Sequence, residues 1–410
     1  SEARIGIVNA GLFANHHLRN NVPQMPAWAE AGKKSASWLS KRGRDLVHSL
    51  GFSETAANND TLLLTAGSSK TGRAVAVLLN DNENFDAASS RFKLTPVAWG
   101  LKVAAQQEVP WLIVLRGGQI RLYPAKDGVG VGQRSQVDTF FELDLALLNE
   151  DDAALLALIF SAEALLPGGT TEEILKGSAR FSAELGERLR DRIYEEVVPT
   201  LATGVAERLP SVGLEVNAEN LTLAYRLTLR ILFRLLFQAY AEDRGLLPYE
   251  RNQGYTANAL KTLVVRDLLN IDADFESESA TYWRDLAQVW EVIDVGNKAW
   301  SVPAYNGGLF GSDPVRHPEG HLLTQFRLPD SIMGPALAAL MVDDTEEGIK
   351  GAVDFRSLSV REFGTIYEGL LESSLSLASE DLTVDSKGAW VPAKKGDDVL
   401  APAGTAYFHN

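Results

Sequence analysis

Asn220-Leu-Thr-Leu-Ala-Tyr-Arg-Leu-Thr-Leu-Arg-Ile-Leu-Phe-Arg-Leu-Leu-Phe-Gln-Ala-Tyr-Ala-Glu-Asp-Arg244 is apolar on nearly every side of a helix. Its one polar stripe is Arg226, Arg230, Arg234, Gln238 and Glu242, each four residues from the next, so all five share a face. A helix with so narrow a polar face is buried on most sides. Gly245 supplies a left-handed stop, and Pro248 prevents continuation. The stretch is therefore read as the central helix of an α-helical domain. Its arginines have acidic neighbours, so ion pairs within the bundle are expected in preference to a grip on phosphates.

Working outward, residues 150–375 continue the helical pattern. Asp151 to Leu165 reads as one helix ended by Pro167-Gly168-Gly169, and Glu172 to Ala202 as one or two more. Ser359 with Glu362 forms a capping box, with Leu358 and Phe363 as its hydrophobic staple, before a helix that contains Gly364 and Gly369. Each glycine there costs ~1 kcal/mol against alanine, which points to close approach of another backbone. Upstream, residues 1–148 read as mixed α/β. Asp60-Thr-Leu-Leu-Leu-Thr65 and Ala74-Val-Ala-Val-Leu-Leu79 are short apolar strands, and Pro96 to Gln107 is a helix with Pro in its first turn. Trp111-Leu-Ile-Val-Leu115 and Gln119-Ile-Arg-Leu-Tyr123 form a hairpin through Gly117-Gly118, with a further strand at Phe140 to Leu145. After residue 376 the composition turns to Ser, Asp, Gly and Lys, and Thr383 to Val391 reads as a hairpin turning at Ser386 to Gly388. The expected architecture is thus an α/β domain over 1–148, a mainly α-helical domain over 149–375, and a β-hairpin and coil segment over 376–410.

Net charge is −15, from 39 Lys and Arg against 54 Asp and Glu, which at first argues against nucleic acid. The charge is uneven. Residues 1–150 carry 16 basic and 14 acidic residues, or +2, and the rest carry 23 and 40, or −17. Lys33, Lys34, Lys41, Arg42 and Arg44 fall within twelve residues without an acid, making this run the candidate DNA-binding face. No apolar run reaches the ~18 residues that cross a bilayer, and no secretion pattern opens the chain, so no membrane partner and a cytoplasmic location are expected. There are no cysteines, and six histidines lack the spacing of a metal motif, so no metal site is expected. Gly128-Val-Gly-Val-Gly132 follows a strand but leads into polar chain, and Gly67-Ser-Ser-Lys70-Thr71 lacks the glycine a phosphate loop needs before its lysine. The first therefore fails as a cofactor loop, and the second is read as a hairpin turn.

Three segments occur in a suggestive order: Ala239-Tyr-Ala-Glu-Asp-Arg-Gly-Leu-Leu-Pro248, Tyr305-Asn306-Gly307-Gly308-Leu-Phe310, and Asp354-Phe-Arg-Ser-Leu with Gly364-Thr-Ile-Tyr367-Glu368-Gly369-Leu-Leu371. By its residues alone the second is a tight turn between apolar anchors. Together they resemble the helical region leading into the catalytic domain of large adenine-specific DNA methyltransferases. These are the type IIG restriction–modification enzymes and their relatives in BREX and DISARM phage defence. The resemblance spans roughly residues 150–375. It implies S-adenosylmethionine as cofactor of the full-length protein, double-stranded DNA as partner, and other defence subunits as further partners. The methyl transfer needs a glycine-rich cofactor loop and an Asn/Asp-Pro-Pro-aromatic loop for the flipped base. All sixteen prolines here are isolated, so this chain is expected to hold no cofactor and not to methylate, with the catalytic domain following Asn410.

Type IIG enzymes place a PD-(D/E)XK nuclease domain ahead of the helical connector, and strand-strand-helix-strand-strand over residues 60–123 is compatible with that core. Such a site needs an Asp, then Glu-x-Lys on the next strand, to hold Mg²⁺. Asp60 is the candidate first acid, but the Glu-x-Lys place reads Leu78-Leu79-Asn80, with Glu83, Asp86 and Lys93 as displaced substitutes. A degenerate nuclease-like domain is the expectation. A Mg²⁺-dependent endonuclease portion and a non-enzymatic helical adaptor are the alternatives.

Overall fold

The computed structural model describes residues 4–410 except 59, 133, 271–273, 345–347, 349 and 359. They form two compact units, Ser1–Glu184 with Arg356–Ser359, and Leu185–Phe355 with Val360–Asn410.

A seven-stranded mixed sheet frames the first unit. Its strands are β1 (Ile7–Ala10), β2 (Phe52–Asn58), β3 (Thr61–Ala66), β4 (Ala74–Leu79), β5 (Trp111–Arg116), β6 (Gln119–Pro124) and β7 (Phe140–Asp144), in the order β1-β7-β6-β5-β4-β3-β2. Only β4 and β5 are parallel. A parallel pair needs a crossover, and here a helix supplies it. The crossover holds α3 (Pro96–Gln106), which opens on the Thr95 side chain accepting the Ala98 amide. Helices α1 (Trp28–Ala36) and α2 (Gly43–Ser49) precede β2, and α4 (Ala154–Phe160) follows β7. The strands alternate between two cores. Ala74, Ala76, Trp111, Ile113 and Leu115 join α2 and α4 on one face, while Val75, Val77, Leu112 and Val114 meet α3 on the other. With both faces covered, β4 and β5 read as unbroken apolar runs.

The strands at 61–66, 74–79, 111–116, 119–124 and 140–144 and the helix at 96–106 lie where the sequence patterns put them. The β5–β6 hairpin pairs Arg116 with Gln119 across Gly117 and Gly118, and Gly117 has φ of +54°. The helix expected over Asp151 to Leu165 is corrected. A 3₁₀ turn at Glu150–Asp152 leads into α4, which stops at Phe160. Ser161 is extended, its hydroxyl donates to the Ala157 carbonyl and accepts the Ala164 amide, and Ala162 donates to Leu50 O. A side chain able to bond the backbone offers an alternative to the next helical turn.

In chain order the division between the units falls within α5 (Thr170–Arg192), after Glu184. The second unit is built on α7 (Ala218–Asp243), which Asn217 caps through the Asn220 amide and which ends before Gly245 at φ +69°. Around it are α6 (Val198–Glu207), α8 (Gln253–Asn258), α9 (Leu260–Leu263), α10 (Thr281–Val295), α11 (Pro318–Leu323), α12 (Asp330–Met341) and α13 (Val360–Leu371). Short strands β8 (Val342–Asp344) and β9 (Lys350–Ala352) pair with each other. The region after 371 is more ordered than its composition suggests. Strand β10 (Ser374–Leu377) pairs with β13 (Ala406–His409), and β11 (Leu382–Val384) with β12 (Trp390–Pro392), around the expected 386–388 turn. Tyr225 of α7 donates to Leu370 O and lies near the Phe408 ring, which ties this end to the central helix. Ser359 of the expected capping box lies outside the described residues. No helix among the described residues is long and apolar enough to cross a membrane.

Candidate functional site

Two of the nuclease candidates meet at one place, and they meet an arginine. Asp60 sits at φ +60° in the β2–β3 turn with its side chain 66% exposed, and Glu83 lies in the β4–α3 connection at 10%. Arg91 spans them, with one Nη 3.6 Å from Asp60 and the other 2.8 Å from Glu83. Glu83 also accepts the Asn80 amide at 3.0 Å and the Ser89 hydroxyl at 2.7 Å. Burial alone would raise its pKa, but these donors and Arg91 overcome burial and hold it below its ordinary value. Lys93 is exposed at φ +62°, and Asp86 pairs loosely with Arg121 at 3.8 Å instead of with Glu83. Leu78 and Leu79 end β4 where a Glu-x-Lys would stand. A cation entering between Asp60 and Glu83 has to displace a guanidinium. Among the described residues no group of three His, Asp or Glu is arranged to hold a metal ion.

The basic run is partly neutralised. Lys33 and Lys34 lie on α1, Lys41 and Arg42 in the link, and Arg44 on α2. Lys34 is 3.9 Å from Glu163, Arg44 pairs with Glu54, and Arg42 donates to the carbonyls of Leu39 and Lys41. Among the described residues Lys33 and Lys41 have no ion-pair partner. Lys34 also borders a cleft of about 990 Å³ in the first unit, whose walls include Trp38, Arg73, Glu30 and Glu173.

The 305–310 loop and the 360–371 helix pack on α7, whose C-terminal end begins the 239–248 segment. Arg230 donates to Gly308 O at 2.9 Å, and Arg234 to Leu309 O at 2.7 Å. The stripe thus holds the 305–311 loop through carbonyls, beside the expected ion pairs, which Arg226 and Arg230 make with Glu319. Phe237 stacks edge-on with Tyr305 and Phe310, and the Tyr305 hydroxyl donates to Leu246 O. Asn306 takes φ +50°, the left-handed conformation that the turn requires. Arg234 is 4% exposed and lies over the Trp290 and Phe310 rings. Burial pushes its pKa down to about 10, with Arg230 adding repulsion, so it remains charged near neutrality. At the C-terminal end of α7, Glu242 accepts the Leu260 and Lys261 amides, the Tyr255 hydroxyl and the Gln238 amide. Burial nevertheless raises its pKa. Neighbouring Asp243 binds Lys261 Nζ at 3.0 Å and the Phe355 amide at 2.8 Å. This carboxylate pair was missed in sequence reasoning, although Glu-Asp at the end of a buried stripe is the signal that could have found it.

The third segment packs through rings. Phe363 meets Tyr240, and Tyr367, 45% exposed, meets Phe233 edge-on at 5.4 Å. Gly369 abuts the side chain of Tyr194, whose hydroxyl donates to Ile366 O, and a Cβ there would collide with the Tyr194 hydroxyl oxygen. The approach at Gly369 is by a side chain, not a backbone. At Gly364 the expectation of close approach is corrected: an added Cβ meets nothing within 4 Å. Glu368 is exposed beside Tyr367. No known protein family, characterised protein or solved structure matches this chain.

Proposed function

We propose that this chain is the N-terminal part of an adenine-specific DNA methyltransferase of the restriction–modification or phage-defence kind. It positions double-stranded DNA, or defence-system partners, for adenine methylation by a catalytic domain that binds S-adenosylmethionine. The observation that carries this reading is the convergence on α7. Segments 305–310 and 354–371 resemble the connector separately, and both pack on α7, whose own C-terminal end is the third segment, through Arg230, Arg234, Asp243, Phe233 and Tyr240.

Two antiparallel strands, a crossover helix, a parallel strand and its hairpin partner support a nuclease-like ancestry for the first unit. Arg91 between Asp60 and Glu83, and leucines at the Glu-x-Lys place, favour a degenerate site that binds no Mg²⁺. Plasmid incubated with the chain and Mg²⁺ or Mn²⁺ is therefore expected to stay uncut. Metal-dependent cleavage that disappears in Asp60→Ala would move the assignment to an endonuclease portion. The reading as a whole is tested on the coding DNA beyond the Asn410 codon. Continuation into a glycine-rich loop and an Asn-Pro-Pro-aromatic motif is expected, and an immediate stop codon overturns it.

A further inference from the structure

Arg226, Arg230 and Arg234 line one face of α7, and one carboxylate, Glu319 of α11, is paired with the first two. Arg226 Nε donates to Glu319 Oε1 at 2.7 Å, while Arg230 Nη2 lies 3.8 Å from Oε2. Arg234 spends its charge on the neutral carbonyls of Leu309 and Gly311, with Asp294 the other acid it senses. A surplus of positive charge thus lies beneath the 305–311 loop, in a part of the chain that is otherwise acidic. The Arg226 side chain is 53% exposed, and its two Nη atoms have no partner among the described residues. Gly308, whose carbonyl Arg230 holds, and Gly307 are exposed, and a Cβ added at Gly307 meets nothing within 4 Å.

We propose that Arg226 and Arg230, beside the Gly307–Gly308 turn, form a binding site for a phosphate-type oxyanion, and that Glu319 is the internal carboxylate occupying it. Two guanidinia holding the two oxygens of one carboxylate offer the arrangement that a pair of phosphate oxygens takes. The pair is partly exposed and its second contact is long, so its hold is weak, and a more highly charged phosphate can displace it. A free phosphate group and the phosphodiester of a nucleic acid share this chemistry. The inference does not rest on the methyltransferase reading, because it uses none of the basic run of the first unit and no downstream domain.

The test is calorimetric titration at low salt of inorganic phosphate, and separately of a short DNA duplex, into the unaltered chain, Glu319→Gln and Glu319→Gln/Arg226→Gln. Removing the competing carboxylate is expected to tighten inorganic phosphate about tenfold, and adding Arg226→Gln to abolish the gain. Arg226→Lys in the Glu319→Gln background keeps the charge without the fork and is expected to retain part of it. If the duplex follows the same ranking, the source is a nucleic-acid backbone. If only inorganic phosphate does, it is a small phosphorylated ligand. No tightening of either probe in Glu319→Gln overturns the site, and so does tightening that survives Arg226→Gln.

Discussion

Gly364 and Gly369 stand five residues apart in α13 and have opposite surroundings, so the same substitution separates two physical effects. At Gly364 nothing meets a new Cβ, and alanine lowers the conformational freedom lost on folding. Gly364→Ala is expected to stabilise the second unit by about 1 kcal/mol in urea unfolding. At Gly369 the Tyr194 ring has to move and give up its bond to Ile366 O, so Gly369→Ala is expected to destabilise by about 1–2 kcal/mol despite the better helix former. Combining it with Tyr194→Ala should remove most of that specific penalty. Equal effects at the two glycines would show that the Tyr194 contact does not matter. Sequence reasoning placed both glycines inside the helix but assigned them one cause, because exposure on a helix face is set by what packs against it.

At the scale of elements, β8 is fastened to the second unit through one carboxylate. Asp343, 7% exposed, accepts from Arg188 at 3.0 and 2.9 Å and from Arg192 at 3.1 Å. Burial would raise its pKa, yet the two guanidinia outweigh burial and hold it below its ordinary value. A depressed folded pKa means that the stabilisation is fully present above the unfolded value near ~3.9 and is lost as pH falls through the folded one. Asp343→Asn is therefore expected to cost about 2–3 kcal/mol at pH 7, less than a fully buried broken pair because both arginines keep some exposure. The gap to the unaltered chain should narrow as pH drops below 4 in urea titrations. A gap independent of pH would assign the loss to packing instead of charge. Nothing in the local sequence pairs residues about 150 positions apart, and so this tie was illegible before folding.

For the molecule as a whole, the uneven charge makes a prediction about DNA. Duplex affinity, followed by fluorescence anisotropy, is expected to fall steeply with salt. Changing Lys33, Lys34, Lys41, Arg42 and Arg44 to Gln should flatten the slope by about three phosphate contacts, not five, since Lys34 and Arg44 already lie against acids. No duplex binding at low salt would favour the adaptor alternative. Much of the architecture was legible in advance. The doubly covered strands β4 and β5, the Gly117 turn and the limits of α7 follow from apolar period, turn chemistry and caps, which are properties of neighbours along the chain. Strands β1 and β2 were not, because edge strands alternate weakly and owe their conformation to the partner they bond. The candidate sites divide in the same way. The sequence by itself determined which residue types were present: leucines at the end of β4, a basic run and an Asn-Gly-Gly turn. Only the tertiary structure decided that Arg91 lies between Asp60 and Glu83, and that Arg230 and Arg234 hold the 308–309 carbonyls. Charge partners separated by tens of residues are chosen by how the elements pack, and no local periodicity encodes that choice.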